Sequence, residues 1–188
     1  MNDLMIDIET LDTEETAVIV QIAIIAFDIE TFEVQRTYSY VGNAQDQYTR
    51  SVSYDTLKWW LDQPPEVVEL LKLAFDPAES YDTDTLATHV GSALEVESNF
   101  GVRHIWTQGV FDLPITKNFL AQSSEFEYPF KYYQEKDLRT VQSMCAWIGY
   151  DTKAAKAAAT EGLTAHNAYD DCLAQIRLLK TYMGWLKK

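Results

Sequence analysis

A chain of 188 residues, 47% hydrophobic and 13% aromatic, carries enough apolar material for one packed core, which excludes a disordered tail or a coiled coil. Its formal net charge of −14 argues against tight, non-specific binding to duplex nucleic acid. The charge is uneven, however: residues 1–130 hold 6 Lys/Arg and 23 Asp/Glu, a net of −17, whereas residues 131–188 hold 9 and 6, a net of +3.

The opening Met1-Asn2-Asp3-Leu4-Met5 is acidic where a secretory signal is basic. The most apolar window, Ala17 to Phe27, is interrupted by Gln21 and is too short to cross a bilayer. The two cysteines, Cys145 and Cys172, lie in apolar helical patterns without metal-site spacing, which predicts buried, reduced thiols and a cytoplasmic protein. With 7 glycines, 5 prolines and no repeat or linker tract, residues 1–188 read as a single domain.

Residues 3–9 alternate, with Leu4, Ile6 and Ile8 on one face and Met5, Asp7 and Glu9 on the other, which predicts a strand. Two more strands, Val18–Asp28 and Glu33–Val41, flank a polar turn and predict an antiparallel meander. From Ser53 the period is helical: Ser53 caps a helix through Leu61, and Pro64-Pro65 starts a second, Glu66–Phe75. A helix at Thr83–Glu97, a strand at Arg103–Thr107 and a helix at Asp112–Gln122 follow, then an extended stretch at Tyr128–Tyr133 and a helix at Asp137–Ile148. Residues 151–164, rich in Ala and Lys, read as either a helix or a mobile flap, and the last helix runs from Asn167 to Leu186. Strands first and β/α alternation afterwards predict an α/β fold, a mixed sheet with surrounding helices.

Asp7 and Glu9 are the sharpest feature. A two-residue step on a strand puts both carboxylates on one face, about 6.5 Å apart at the backbone. Apolar flanks place them partly inside the fold, where they lose hydration and repel each other unless cations neutralise them. Oxygen donors suit hard divalent ions such as magnesium or manganese. Taken alone, the pair reads as the wet face of an edge strand, and the metal reading depends on partners elsewhere in the chain.

Partners occur at Thr164-Ala165-His166-Asn167-Ala168-Tyr169-Asp170-Asp171-Cys172. The apolar stripe of this helix is Ala168, Cys172, Ile176, Leu179, Met183 and Leu186, with Asp171 roughly 95° and Asp170 roughly 165° from its centre. Asp171 therefore borders the interior and is the candidate for chemistry, whereas Asp170 faces solvent as helix-terminal charge. On one helix His166 and Asp171 would diverge by about 140°, so they converge only if His166 sits in the preceding loop or first turn. A partly exposed imidazole there suits a general base. His89 and His104 lack comparable acidic company and read as structural. After the next strand, Gly109-Val110-Phe111-Asp112 puts Asp112 near a sheet end, although by itself it reads as a helix cap.

The ordered set, DxE on the first strand, Phe-Asp in mid-chain and H-x4-D opening the last helix, resembles the DEDDh branch of the 3′–5′ exonuclease superfamily. Asp7-Ile8-Glu9-Thr10-Leu11, Trp59-Trp60-Leu61, Tyr128-Pro129-Phe130 and Asp137-Leu138-Arg139-Thr140 look like the short mycobacterial-type exoribonucleases and the phage exonuclease A proteins. The resemblance implies a ribonuclease-H-like fold, with Asp7, Glu9, Asp112 and Asp171 as ligands for two divalent cations, Mg2+ or Mn2+. It makes His166 the base that takes a proton from the attacking water, so that 5′-mononucleotides leave the 3′ end of single-stranded or 3′-overhanging RNA or DNA. It also implies a cytoplasmic setting, the host's if the source is a phage, and a homodimer is an option. Thr10 and Leu11 are expected to flank the terminal nucleotide. Of the two tryptophans, Trp60 aligns with Leu57 and Leu61 as core, and Trp59 is the stacking candidate. Arg139 is expected either to touch phosphate or to pair with an acid. Two other readings compete: a non-catalytic nucleic-acid-binding module on the same fold, and an acidic decoy that mimics nucleic acid. Nothing in the residues separates RNA from DNA, because the 2′-hydroxyl contact depends on geometry.

Overall fold

The alternation of the N-terminal third folds into three antiparallel strands, β1 (Asn2–Thr10), β2 (Ile19–Asp28) and β3 (Val34–Val41), in a computed structural model that describes residues 1–122 and 126–187. Two short strands, β4 (Ile105–Thr107) and β5 (Glu135–Asp137), add in parallel beyond β1, giving the order β3-β2-β1-β4-β5. Every residue of β2 from Ile19 to Phe27 is buried, as a strand covered on both faces requires.

The helices are α1 (Tyr54–Leu61), α2 (Pro65–Leu73), α3 (Thr83–Asn99), α4 (Asp112–Gln122), α5 (Leu138–Trp147), α6 (Thr152–Ala159) and α7 (Ala168–Leu186). Ser53, Asp82, Asp137, Asp151 and Asn167 cap their helices by accepting first-turn N–H groups. Leu4, Ile6, Ile22 and Ile24 pack one sheet face against α3 and α4. Met5, Ala23, Ile25 and Phe27 pack the other against α5 and α7. The α7 helix lies directly on the sheet, with Cys172 Sγ 3.7 Å from the Met5 carbonyl and 3.6 Å from that of Ala23.

Two expectations need correction, at Tyr128–Tyr133 and at Leu61, and the alternative left open at 151–164 is decided in favour of a helix. The stretch Tyr128–Tyr133 is not a strand: a 3-10 turn covers Tyr132–Gln134, and the strand is the Glu135–Asp137 segment after it. That strand has no apolar alternation; its pairing with β4 (Ile105 to Glu135, Thr107 to Asp137) defines it. Segment 151–164 resolves into α6 and a following loop. Leu61 is 62% exposed, because α1 ends there and Trp60 fills the core below it.

Trp60 belongs to a third core with Leu11, Val18, Val20, Val67 and Leu70, and its Nε1 donates to the Thr10 carbonyl at 2.9 Å. This bond anchors α1 at the end of β1. Trp60→Phe should leave that buried carbonyl without a donor and lower unfolding free energy by about 1–3 kcal/mol in urea titrations. A change within error would mean that the bond does not hold α1.

Candidate active site

Because β1 and β4 are parallel, their C-terminal ends open on one edge of the sheet, where α/β folds place ligands. Asp7 and Glu9 stand at that end of β1, just before a register shift between Glu9 and Thr10. The last β1–β4 pair is Met5 with Trp106, so the Ile8 N–H is released from the ladder and donates to Asp112 Oδ1 at 3.3 Å. That contact sets the first residue of α4 against β1. From the other side α7 delivers Asp171, whose Oδ2 accepts the His166 N–H at 3.1 Å. His166 lies just before the N-cap Asn167, in the left-handed region at φ 60°, so it sits off the helix, as its convergence with Asp171 requires. Asp7, Glu9, Asp112, His166 and Asp171 line one cavity of about 540 Å³.

Two glutamines that sequence reasoning passed over hold this arrangement. Gln175, one turn after Asp171, is buried and donates from Nε2 to Asp7 Oδ1 at 2.6 Å. Its i+4 spacing from Asp171 was the available signal. Gln21, which registered only as a break in an apolar window, is the β2 partner of Glu9, and its Oε1 accepts the Ala168 N–H at 2.8 Å. It thereby ties the start of α7 to the strand beside the acidic pair. Asp170 is a correction: it is half-buried, and its Oδ2 accepts the Thr164 N–H at 2.8 Å, because the loop before His166 folds back over the first turn of α7. His104 is another. Its Nδ1 lies 3.2 Å from buried Asp3 Oδ2, which also accepts the Trp106 indole N–H at 2.8 Å; the sequence hid this pairing across parallel strands. His89 stacks on Tyr40 at 5.1 Å and meets Tyr81 edge-on at 4.7 Å.

A second hollow of about 390 Å³ shares Ile8, Glu9 and Phe111 with the cavity and adds Thr10 and Trp59. Trp59 is 40% exposed, and its ring stands perpendicular to that of His166 at 4.7 Å. Leu11 does not reach the site: at 1% exposure it is part of the third core.

The electrostatics are those of a cation site. Burial, then the charges of Asp171 and Asp112, push the Glu9 carboxyl up to about 8. Burial raises Asp112 to about 7, opposed by the Ile8 N–H, its own N–H and the charge of Arg139. Asp7 is raised well above its ordinary value by burial and by Asp112, Glu9 and Asp171, and Asp171 is raised by burial. Donor atoms of Glu9, His166 and Asp171 all lie within 4.8 Å of one another, and the oxygen-rich set around them fits a hard divalent cation.

A pH dependence follows. Glu9 and Asp112 hold protons in the folded chain that the unfolded chain releases near pH 4, so their contribution is complete below that pH and disappears as pH rises through about 7 to 8. In EDTA the melting temperature should therefore fall between about pH 5.5 and about pH 8.5, and Mg2+ or Mn2+ should raise it most at the higher pH. Glu9→Gln should flatten the EDTA profile. A profile that is already flat in the unsubstituted chain would mean these carboxyls ionise normally.

Comparison with known proteins turns on residues 2–183, which match the model of the Rv2179c-like 3′–5′ exoribonuclease domain family. The chain belongs to this family. A curated relative, an exodeoxyribonuclease of Enterobacteria phage T4, is 25% identical over 207 residues, covering 96% of this chain and 88% of its own. Among solved structures, the nuclease domain of 3′hExo, described as a DEDDh family member bound to rAMP, superposes with TM-score 0.62 at 12% identity, over 97% of this chain and 92% of that one. E. coli exonuclease I in complex with a dA16 oligonucleotide gives 0.65 at 19% identity over 99% of this chain; the chain spans 43% of exonuclease I. The fold is thus ribonuclease-H-like, and the Rv2179c-like chain is a nuclease of the 3′–5′ exonuclease class, a family that implies divalent-metal dependence. No described helix is long and apolar enough to cross a membrane.

Proposed function

We propose that residues 1–188 form one exonuclease domain that hydrolyses the terminal phosphodiester of single-stranded or 3′-overhanging RNA or DNA and releases 5′-mononucleotides. The observation that carries this reading is the convergence of four carboxylates and one imidazole, from three separate parts of the chain, on one cavity. Asp7, Glu9, Asp112 and Asp171 would hold two divalent cations, Mg2+ or Mn2+. Such ions, when bound, stabilise the charge that develops on the attacking and leaving oxygens.

The remaining work falls to the chain itself. His166 takes the proton of the attacking water, from a loop position that leaves it half-buried in the cavity wall. Gln175 keeps the Asp7 carboxylate turned into the cavity, and Gln21 keeps α7, and with it Asp171, against β1. Thr10 and Trp59 line the adjoining hollow, which suits the terminal nucleoside: an aromatic wall accepts any base face without reading its edges.

The decisive measurement is digestion of matched RNA and DNA oligonucleotides, labelled at the 5′ end, with Mn2+, Mg2+ or EDTA. Ladders that shorten one nucleotide at a time from the 3′ end, and vanish in EDTA, are expected. Cleavage that persists in EDTA, or internal cuts, would refute the reading.

A further inference from the structure

The carboxylate cluster explains how cations would be held, yet a chain of net charge −14 must also receive a polyanion. The hollow beside the cluster offers no path for it. Its rim carries Asp12 and Asp55 as well as Glu9, so it has room for one nucleoside but repels further phosphates.

The opposite side of the main cavity is different. Arg139, in the first turn of α5, and Lys156, in the last turn of α6, line it, and both are exposed. Neither side chain has an ion-pair partner among the described residues. Arg139 is also poorly placed for its own helix, since a cation at a helix N-terminus opposes the macrodipole. Its guanidinium lies over Gly109, where an added Cβ would come within 3.4 Å of Arg139 Cζ and Nε, at φ +118°. The glycine thus both makes the turn and leaves room for the guanidinium. An unpaired guanidinium at an unfavourable helix position, beside a nuclease cavity, is explained by an anion that arrives with the substrate.

Resting on the exonuclease reading above, we infer that Arg139 and Lys156 are substrate-binding residues that grip the phosphates at and next to the scissile bond, one from each wall. The strand then has a single direction across the site, with its last nucleoside in the acid-rimmed hollow and its body leaving past α5 and α6.

The test is the salt dependence of kcat/KM on a single-stranded oligonucleotide between about 50 and about 200 mM salt. Arg139→Gln and Lys156→Gln should each lower kcat/KM by about ten- to a hundredfold, the range for a lost charged hydrogen bond. Each should also flatten the slope of log kcat/KM against log salt by about 0.7, and the double variant by about 1.4, the value per phosphate contact on single strands. Arg139→Lys and Lys156→Arg keep the charge and should keep the slope. Loss of activity with the wild-type slope, or an unchanged kcat/KM, would overturn the inference, with melting temperature as the control for folding. If the wild type digested nothing, the exonuclease reading itself would have failed; the same slopes, read from equilibrium binding of a labelled strand by fluorescence anisotropy, would still decide on the two cations.

Discussion

Asp7→Asn should abolish activity while leaving the metal-free protein as stable as before, or more so. Asp7 is the carboxyl whose titration is raised by burial and by three acidic neighbours, Asp112, Glu9 and Asp171. Its charge is a liability to the fold without cations and a requirement of the proposed chemistry with them. Asparagine keeps the volume, and its carbonyl oxygen still accepts the Gln175 Nε2 donor, so packing and the buried hydrogen bond survive. What disappears is one negative charge at the point where cations must bind. Removal of a single electrostatic contact to a transition state costs about 10²–10³ in kcat, and a charge lost from the residues that would hold the cations should cost at least about 10³. Steady-state digestion with Mn2+ and thermal melting in EDTA read the two halves separately. A variant within tenfold of wild type would show that Asp7 is not a ligand, and one that melts well below wild type would show that its carboxylate stabilises the fold.

The opposition between stability and function at Asp7 also explains which parts of the molecule were legible from the sequence. The meander and the long helices follow from periodicity, which records burial directly, as the run from Ile19 to Phe27, apolar except for Gln21 and buried throughout, illustrates. The site residues violate that periodicity: a carboxylate on a sheltered strand face has no structural justification, so Asp7 and Glu9 stand out. Asp171 follows from helix angle, and the displacement of His166 from the helix follows from the same angle. Features set by pairing between distant segments were not legible. β5 is a strand because Ile105–Thr107 lies beside it, and His104 has an acidic neighbour because β1 and β4 are parallel. Gln21 and Gln175 were hidden for another reason: a buried glutamine has no pattern of its own, and its importance lies in which donor or acceptor it meets. Leu11 shows the converse error, since adjacency in sequence to Glu9 does not carry its side chain to the cavity once the strand register shifts.

His166→Asn is the substitution that isolates the imidazole. His166 adopts φ 60°, a conformation that costs most residues about 1–2 kcal/mol and that asparagine tolerates well. The asparagine variant keeps the backbone N–H that Asp171 Oδ2 accepts, so the loop and the first turn of α7 should hold their geometry, with a melting temperature close to that of wild type. His166→Ala would mix loss of the ring with backbone strain. Loss of a general base lowers kcat by about 10²–10⁴ near neutral pH, and the deficit should shrink as pH rises and hydroxide takes over the attack. The imidazole also lies within 4.8 Å of donor atoms on Glu9 and Asp171, close enough to serve as a ligand instead. The metal requirement separates the two roles. A base can be removed without changing the Mn2+ concentration that gives half-maximal rate. Removal of a ligand should raise that concentration by at least tenfold, since even the partners that merely orient ligands are worth about 10–100-fold in affinity. Trp59, whose ring stands perpendicular to that of His166 with centroids 4.7 Å apart, braces the imidazole in either role, so the metal titration alone decides between them.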